Sequence, residues 1–346
     1  MMSATRAAAE GSRPAARVRS SLARWSFPKT EAQILVATVA LGLAFWLAFP
    51  DSFATAGTLL NMARVAGILL VVSVGQSFAL IVGGFDISVG ATIGLVSVVS
   101  AKAMMAGIDV PLAVALGIAT GALVGLVNGV GIALFRVTPF VMTLGMLTAG
   151  RGLADYIGNG GTIIGLPRAI AMFGRGSWLG VPSAACIATI MMVASWFVLQ
   201  RTRAGLYIFA IGGGRETARV SGVSVVRYEV LAYTLCGALA GVAGIMLTSR
   251  VGVAQGSLGQ GYELLSVATA VIGGVAIGGG SGRLTGVFLG VVLITVLTTG
   301  LDIAGVNSFI QQMVTGIVLV LAVLIANARS GNLRAVLRSL RLAGRG

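Results

Sequence analysis

The chain has 346 residues, 57% of them apolar and 10% charged, with a net charge of +14. Ordinary globular domains carry ~25% charged residues, so the composition leaves no room for a soluble domain. Histidine is absent, which removes the usual proton shuttle and the commonest metal ligand, and the two cysteines, Cys186 and Cys236, lie inside apolar runs with no disulfide or metal spacing.

Five stretches carry no charge at all: Ala32–Pro50, Val110–Phe135, Gly176–Gln200, Val230–Ser249 and Ile303–Ala328. A bilayer core needs about 20 apolar residues of helix to cross it. The chain therefore reads as an all-α, polytopic membrane protein. Residues 1–31 read as a disordered basic tail, 32–328 as one transmembrane domain, and 329–346 as a second basic tail. Sixteen of the 24 basic residues lie before residue 32, within the central loop 201–229, or after residue 328. This is the positive-inside pattern. It places both termini and the central loop in the cytoplasm, demands an even number of crossings, and makes the lipid bilayer rather than nucleic acid the reason for the positive charge.

About ten crossings follow in chain order. The first runs outward over 32–50, and the second inward over 65–84, interrupted by Ser73, Gly75, Gln76 and Ser77. The third covers 87–106, with Lys102 near its end, and the fourth covers 110–135. The fifth, 138–157, has Pro139 in its first turn, and its Arg151 and Asp155 stand four apart, spaced to pair on one face. A glycine-rich outer loop, 158–175, precedes the sixth crossing over 176–200. The seventh, eighth, ninth and tenth cover 230–249, 264–280, 284–301 and 303–328. Gly117, Gly121, Gly125 and Gly129 recur every fourth residue on the fourth span, and Gly282, Gly286 and Gly290 repeat the spacing at the start of the ninth. Small residues at this period let helix backbones approach closely in lipid.

The residues that interrupt the apolar runs carry the functional signal. The ten acidic residues form no metal-ligand pattern, and an intramembrane enzyme finds no machinery here. A phosphate-cradling loop needs a lysine after glycine; the lysines are Lys29 and Lys102, and neither follows one. No cofactor is expected on the chain, and energy must come from an ion gradient or a partner. Polar residues in the spans are mostly neutral, among them Gln76, Asn128, Thr143, Gln311 and Gln312. Such a lining suits an uncharged, hydroxyl-rich solute, although interhelical hydrogen bonds would also account for each residue singly. Asp86, followed by Ile87 and Ser88 after paired glycines, reads as a helix N-cap or as a gate in the solute path. In the central loop, Glu216–Gly222 reads as a short helix stopped by glycine. It is either a docking peg for a soluble motor or a solvated loop, and the pattern leaves both open. The rival class is an ion-coupled secondary carrier of a neutral solute.

Several blocks together match a known family. They are Gly83-Gly84-Phe85-Asp86-Ile87-Ser88-Val89-Gly90, Thr143-Leu144-Gly145-Met146 with Arg151-Gly152, and Ala210-Ile211-Gly212-Gly213 running on to Ser221-Gly222. Gly261-Tyr262-Glu263-Leu264, Ile272-Gly273-Gly274 with Gly279-Gly280-Ser281-Gly282-Arg283, and Gly305-Val306 complete the set. Over roughly 32–328 the chain resembles the ribose-type permease subunits of bacterial sugar ABC importers. Gly214, Leu265, Phe85 and Asp302 depart from residues more usual in that family. The resemblance implies a multi-pass inner-membrane homodimer, with a cytoplasmic ATPase subunit that holds ATP and Mg, and a periplasmic sugar-binding protein. It implies that Gly213, Gly214, Arg215, Glu216, Ala218, Arg219, Ser221 and Gly222 couple to that ATPase. Gln76, Asp86, Ser88, Asn128, Thr143, Gln311 and Gln312 are the candidates for the solute path. The implied solute is a monosaccharide or related polyol, ahead of an amino acid or nucleoside.

Overall fold

A computed structural model describes residues 29–329. All but the inner edges of the two basic tails lie outside the described residues. α1 (Lys29–Ala48) and the one-turn α2 (Pro50–Phe53) precede α3 (Ala56–Ile81), α4 (Val89–Met105), α5 (Val110–Ala133) and α6 (Pro139–Gly158). A 3-10 turn (Arg168–Phe173) and a hairpin, β1 (Ser177–Trp178) with β2 (Val181–Pro182), lead to α7 (Ser183–Arg201). Then come α8 (Arg203–Gly213), α9 (Arg215–Val220), α10 (Val225–Val251), α11 (Tyr262–Ile272), α12 (Leu284–Ile303) and α13 (Ser308–Arg329). The fold is an all-α polytopic membrane protein. Helices fall within every apolar stretch marked in the sequence, but among the described residues six of them (α1, α3, α5, α7, α10 and α12) have the length and hydropathy to cross a membrane. α4, with 17 residues, and α11, with 11, are shorter than a bilayer crossing needs.

α3 is the central post. Every residue from Gly67 to Ile81 is buried, packed by α7, α10, α11 and α12. α1 stands at the edge, with Val36 and Leu47 exposed where lipid would lie. In lipid, apolar side chains gain little by leaving the acyl tails, so close backbone packing must supply the cohesion. The glycine ridges do this. A Cβ on Gly121 would strike the Gly237 carbonyl, and one on Gly237 would strike the Gly121 carbonyl. Gly125 and Gly129 lie just as close to Tyr233 and Val230, so the whole α5 ridge seats on α10. On α12, Gly286 and Gly290 lie against the carbonyls of Gly273 and Thr269 at the end of α11.

Four local expectations are corrected. α3 begins at Ala56 rather than near residue 65, because Thr55 caps it: its Oγ1 accepts from Thr58 N at 3.2 Å. Residues 176–182 do not open a helix; Leu179 (φ 52°) and Gly180 (φ 83°) make the left-handed pair of a tight hairpin turn between β1 and β2. α11 stops at Ile272, since Gly273 is pressed on α12 and Gly274 turns the chain at φ 87°. Arg151 and Asp155 do not pair: among the described residues the ion pairs are Arg215–Glu229 and Arg219–Glu216. Arg151 Nε is buried without a partner, and Asp155 faces Gly256.

Candidate functional site

Between α3 and α4 the chain leaves helical geometry, turning at Gly83 (φ 101°). Backbone groups inside a membrane protein must find partners within the protein. Four of the path candidates converge to provide them. Asp86 Oδ1 accepts from Ser88 N at 2.8 Å and Ser88 Oγ at 2.6 Å. This is an Asx turn that caps the entry to α4 as expected: Ser88, just before the helix, is itself in helical conformation and makes no side-chain cap. Asn128 Nδ2, from α5, donates to Asp86 Oδ2 at 3.2 Å and to Ser88 Oγ at 2.9 Å. The Gln76 amide, from α3, donates to Asp86 O at 3.1 Å and accepts from Asp86 N at 3.0 Å in the orientation that satisfies both of its ends. None of the four side chains is more than 1% exposed. They form a lock that ties α3, the break, α4 and α5 together.

The other three path candidates lie apart from the lock. Thr143 is buried on α6, and its hydroxyl donates to Pro139 O at 2.8 Å within its own helix. Gln311 Nε2 donates to Asp302 Oδ1 at 2.7 Å and to Val306 O at 2.9 Å, so it closes the turn between α12 and α13. Gln312 is exposed.

The central loop is folded. α8 starts under a Thr202 cap, whose Oγ1 accepts from Gly205 N at 3.3 Å. α9 follows as the expected short helix, and its exit is a Schellman turn: Val223 N donates to Ala218 O at 3.1 Å and Gly222 N to Arg219 O at 3.0 Å, with Gly222 left-handed at φ 83°. Of the eight coupling candidates, Ala218 is buried and anchors α9, and Gly214 is half-buried at its start. Gly213, Arg215, Glu216, Arg219, Ser221 and Gly222 are exposed. Arg219 grips Glu216 with Nε at 3.0 Å and Nη2 at 2.6 Å. Those hydrogen bonds hold the Glu216 carboxyl below its ordinary range and raise the Arg219 guanidinium above its own. Arg215, at the first position of α9, pairs with Glu229 on α10 and fastens the helix to the bundle.

A cavity of about 790 Å³ opens between α9, the break and the α5–α6 turn. Gly83, Gly84, Arg136, Arg215, Glu229 and Tyr233 are among its walls. Reading the sequence singled out neither Glu229 nor Tyr233. The available signal was an acid at the head of an apolar run with an aromatic residue one turn on. The Tyr233 hydroxyl is buried without a partner, directly against Gly84, where any side chain would strike it.

Residues 58–323 match the family described as branched-chain amino acid transport system / permease component. The ribose import permease protein RbsC of Bacillus subtilis (strain 168) is 39% identical over 281 residues, covering 81% of this chain and 87% of that protein. The protein of the same name from Escherichia coli (strain K12) is 35% identical over 303 residues, 86% of this chain and 94% of its own. The D-allose transport system permease protein AlsC of Escherichia coli (strain K12) is 32% identical over 275 residues, 79% and 84% of the two chains. No solved structure matches.

Proposed function

Since the chain belongs to this permease-component family and is a multi-pass inner-membrane protein of the ribose-type branch, we propose that it is the membrane subunit of an ABC importer for a monosaccharide or related polyol. The family description names branched-chain amino acids, whereas the relatives above carry ribose and allose. Identity above 30% over most of both chains is the more specific guide, and it favours a sugar. A periplasmic binding protein delivers the solute to the outer mouth. A separate cytoplasmic ATPase, which holds ATP and Mg, drives the cycle. Two copies of the chain stand side by side, each with about ten helical segments in the membrane, α4 and α11 too short to cross it unaided, and both termini inside.

α9 is the coupling helix in this reading. It is short, charged and exposed, yet anchored by Ala218 and by the Arg215–Glu229 pair, which lets it take a load without unfolding. Gln76, Asp86, Ser88 and Asn128 are engaged with one another, so their part is to shape the break beside the path rather than to touch solute. Thr143, Gln311 and Gln312 remain the other candidates for the path.

The observation that carries the proposal is the alignment with sugar permeases along nearly the whole membrane domain. Its test is uptake of radiolabelled D-ribose and D-allose into proteoliposomes holding the permease, its ATPase and its binding protein. Uptake should require all three components and ATP on the ATPase side. Accumulation by the permease alone under an ion gradient would favour the secondary-carrier reading instead.

A further inference from the structure

We propose that three backbone segments meeting without side chains between them form the joint that carries motion of α9 to the α3–α4 break. This rests on reading α9 as the coupling helix. The segments are the end of α3, the end of α8 and the turn at 278–281. Gly280 N donates to Ile81 O at 2.9 Å. A Cβ on Gly212, in the last turn of α8, would run into that same Ile81 carbonyl and into Gly280 N. A Cβ on Gly279 would stand 2.8 Å from Gly83 Cα and 2.9 Å from Gly212 Cα, and one on Gly280 would stand 2.7 Å from Gly213 Cα. Three main chains therefore touch directly.

Such a contact transmits displacement better than a side-chain contact. A side chain can absorb a shift by changing rotamer, whereas close-packed backbone passes strain on. α8 runs into α9 through the single extended residue Gly214 (φ 173°), so a push on α9 arrives at Gly212 with little slack. From Gly212 it reaches Ile81 and Gly83, at the head of the break. There the Gln76–Asp86–Asn128 lock makes the break move as a unit with the start of α4. The same push reaches the 278–281 turn, which joins α11 to α12. A transmitting element also needs a second arrangement to move into. Beside the break, the Tyr233 hydroxyl and Asn128 Oδ1 are buried with no partner. These are polar groups that a shifted break can satisfy.

The experiment uses the complete importer (permease, ATPase and binding protein) in nanodiscs, with Cys186 and Cys236 replaced by alanine. Spin labels go on exposed Ala106, at the outer end of α4, and exposed Val193, on α7, and the distance between them is read without nucleotide and after trapping with ATP and vanadate. In the parent and in Gly278→Ala, whose methyl would stand in open space, trapping should shift the distance. In Gly212→Ala the ATPase should still co-purify and hydrolyse ATP, while the shift falls by more than half. A shift of parental size in Gly212→Ala, or none in the parent, overturns the proposal. If Gly212→Ala does not insert, amide exchange in the parent decides. Peptides covering 82–88 and 276–283 must change protection on trapping together with 211–222, and a change confined to 211–222 overturns it. Release of the ATPase by changes on α9 tests the underlying reading separately, so the two failures are distinguishable.

Discussion

Across the α3–α4 break, the Gln76 side chain pairs with both main-chain polar groups of Asp86, 3.0 Å from its N–H and 3.1 Å from its C=O. One amide thus replaces the two helical partners that Asp86 lacks. A buried backbone group left unpaired costs about 1–3 kcal/mol, so Gln76→Leu, which fills a similar volume without polar atoms, should destabilise the permease by roughly 2–6 kcal/mol. Thermal unfolding in nanodiscs, followed by tryptophan fluorescence, measures this. A midpoint equal to the parent's would mean that Asp86 has another partner.

Asp86 separates a structural lock from a charged gate. In Asp86→Asn the side-chain oxygen can still accept from Ser88. The new NH₂ can donate to Asn128 if that amide turns over, and its oxygen is unpaired in the parent. Asp86→Asn should therefore fold and transport at close to the parental rate. Asp86→Ala removes the acceptor of Ser88 N and of the Ser88 hydroxyl, leaves Asn128 Nδ2 with Ser88 Oγ alone, and should lose most folded protein. If Asp86→Asn folds normally but transport of labelled D-ribose collapses, the negative charge itself takes part in the cycle.

The spans were legible in the sequence because hydropathy is a local property. The stretch from Val110 announces α5 by its uncharged length alone, and glycine every fourth residue announces the face that meets α10. What the sequence left unread depends on partners far along the chain. Gln76 looks like a polar residue adrift in a span until the break folds back beside it. Arg151 and Asp155 have the spacing of a pair, yet the Asp155 carboxylate lies against Gly256 instead. Residues 176–182 were apolar enough for a helix start, but a two-residue turn with Gly180 at φ 83° decided otherwise. The short helix in the central loop was readable because glycine at 222 marks its end, whereas the close approach of Gly212 to Ile81 has no local signature.

The α5–α10 contact leaves no room for a methyl group. Gly121→Ala would drive Cβ into the Gly237 carbonyl and to 2.9 Å from Gly241 Cα. Both obstacles are backbone, so the helices must separate, and overpacking of this kind costs about 1–3 kcal/mol. Gly42→Ala, on the outward-facing α1 with nothing within 4 Å, should be neutral or stabilising by up to about 1 kcal/mol through helix propensity. Unfolding midpoints of the two variants should therefore move apart, and equal midpoints would remove the ridge from the account of what holds the bundle together.

The Glu216–Arg219 pair lies on the exposed face of α9, so it contributes little to the stability of the permease. If α9 is the coupling helix, as proposed above, the pair presents a fixed pattern of charge to the ATPase. Replacing both residues by alanine should leave membrane insertion and unfolding midpoint unchanged while lowering ATPase retention and binding-protein-stimulated hydrolysis at least about tenfold. The pair also has a pH signature. Arg219 lowers the Glu216 carboxyl, so the bridge persists as pH falls through the ordinary glutamate range and is lost only below it. A ¹³C titration of labelled glutamate should find the Glu216 midpoint below that of free glutamate and should see it return to the ordinary range in Arg219→Ala. If coupling survives the double alanine change, α9 does not engage the ATPase through this face, and the exposed glycines at its two ends, Gly213 and Gly222, become the contacts to test.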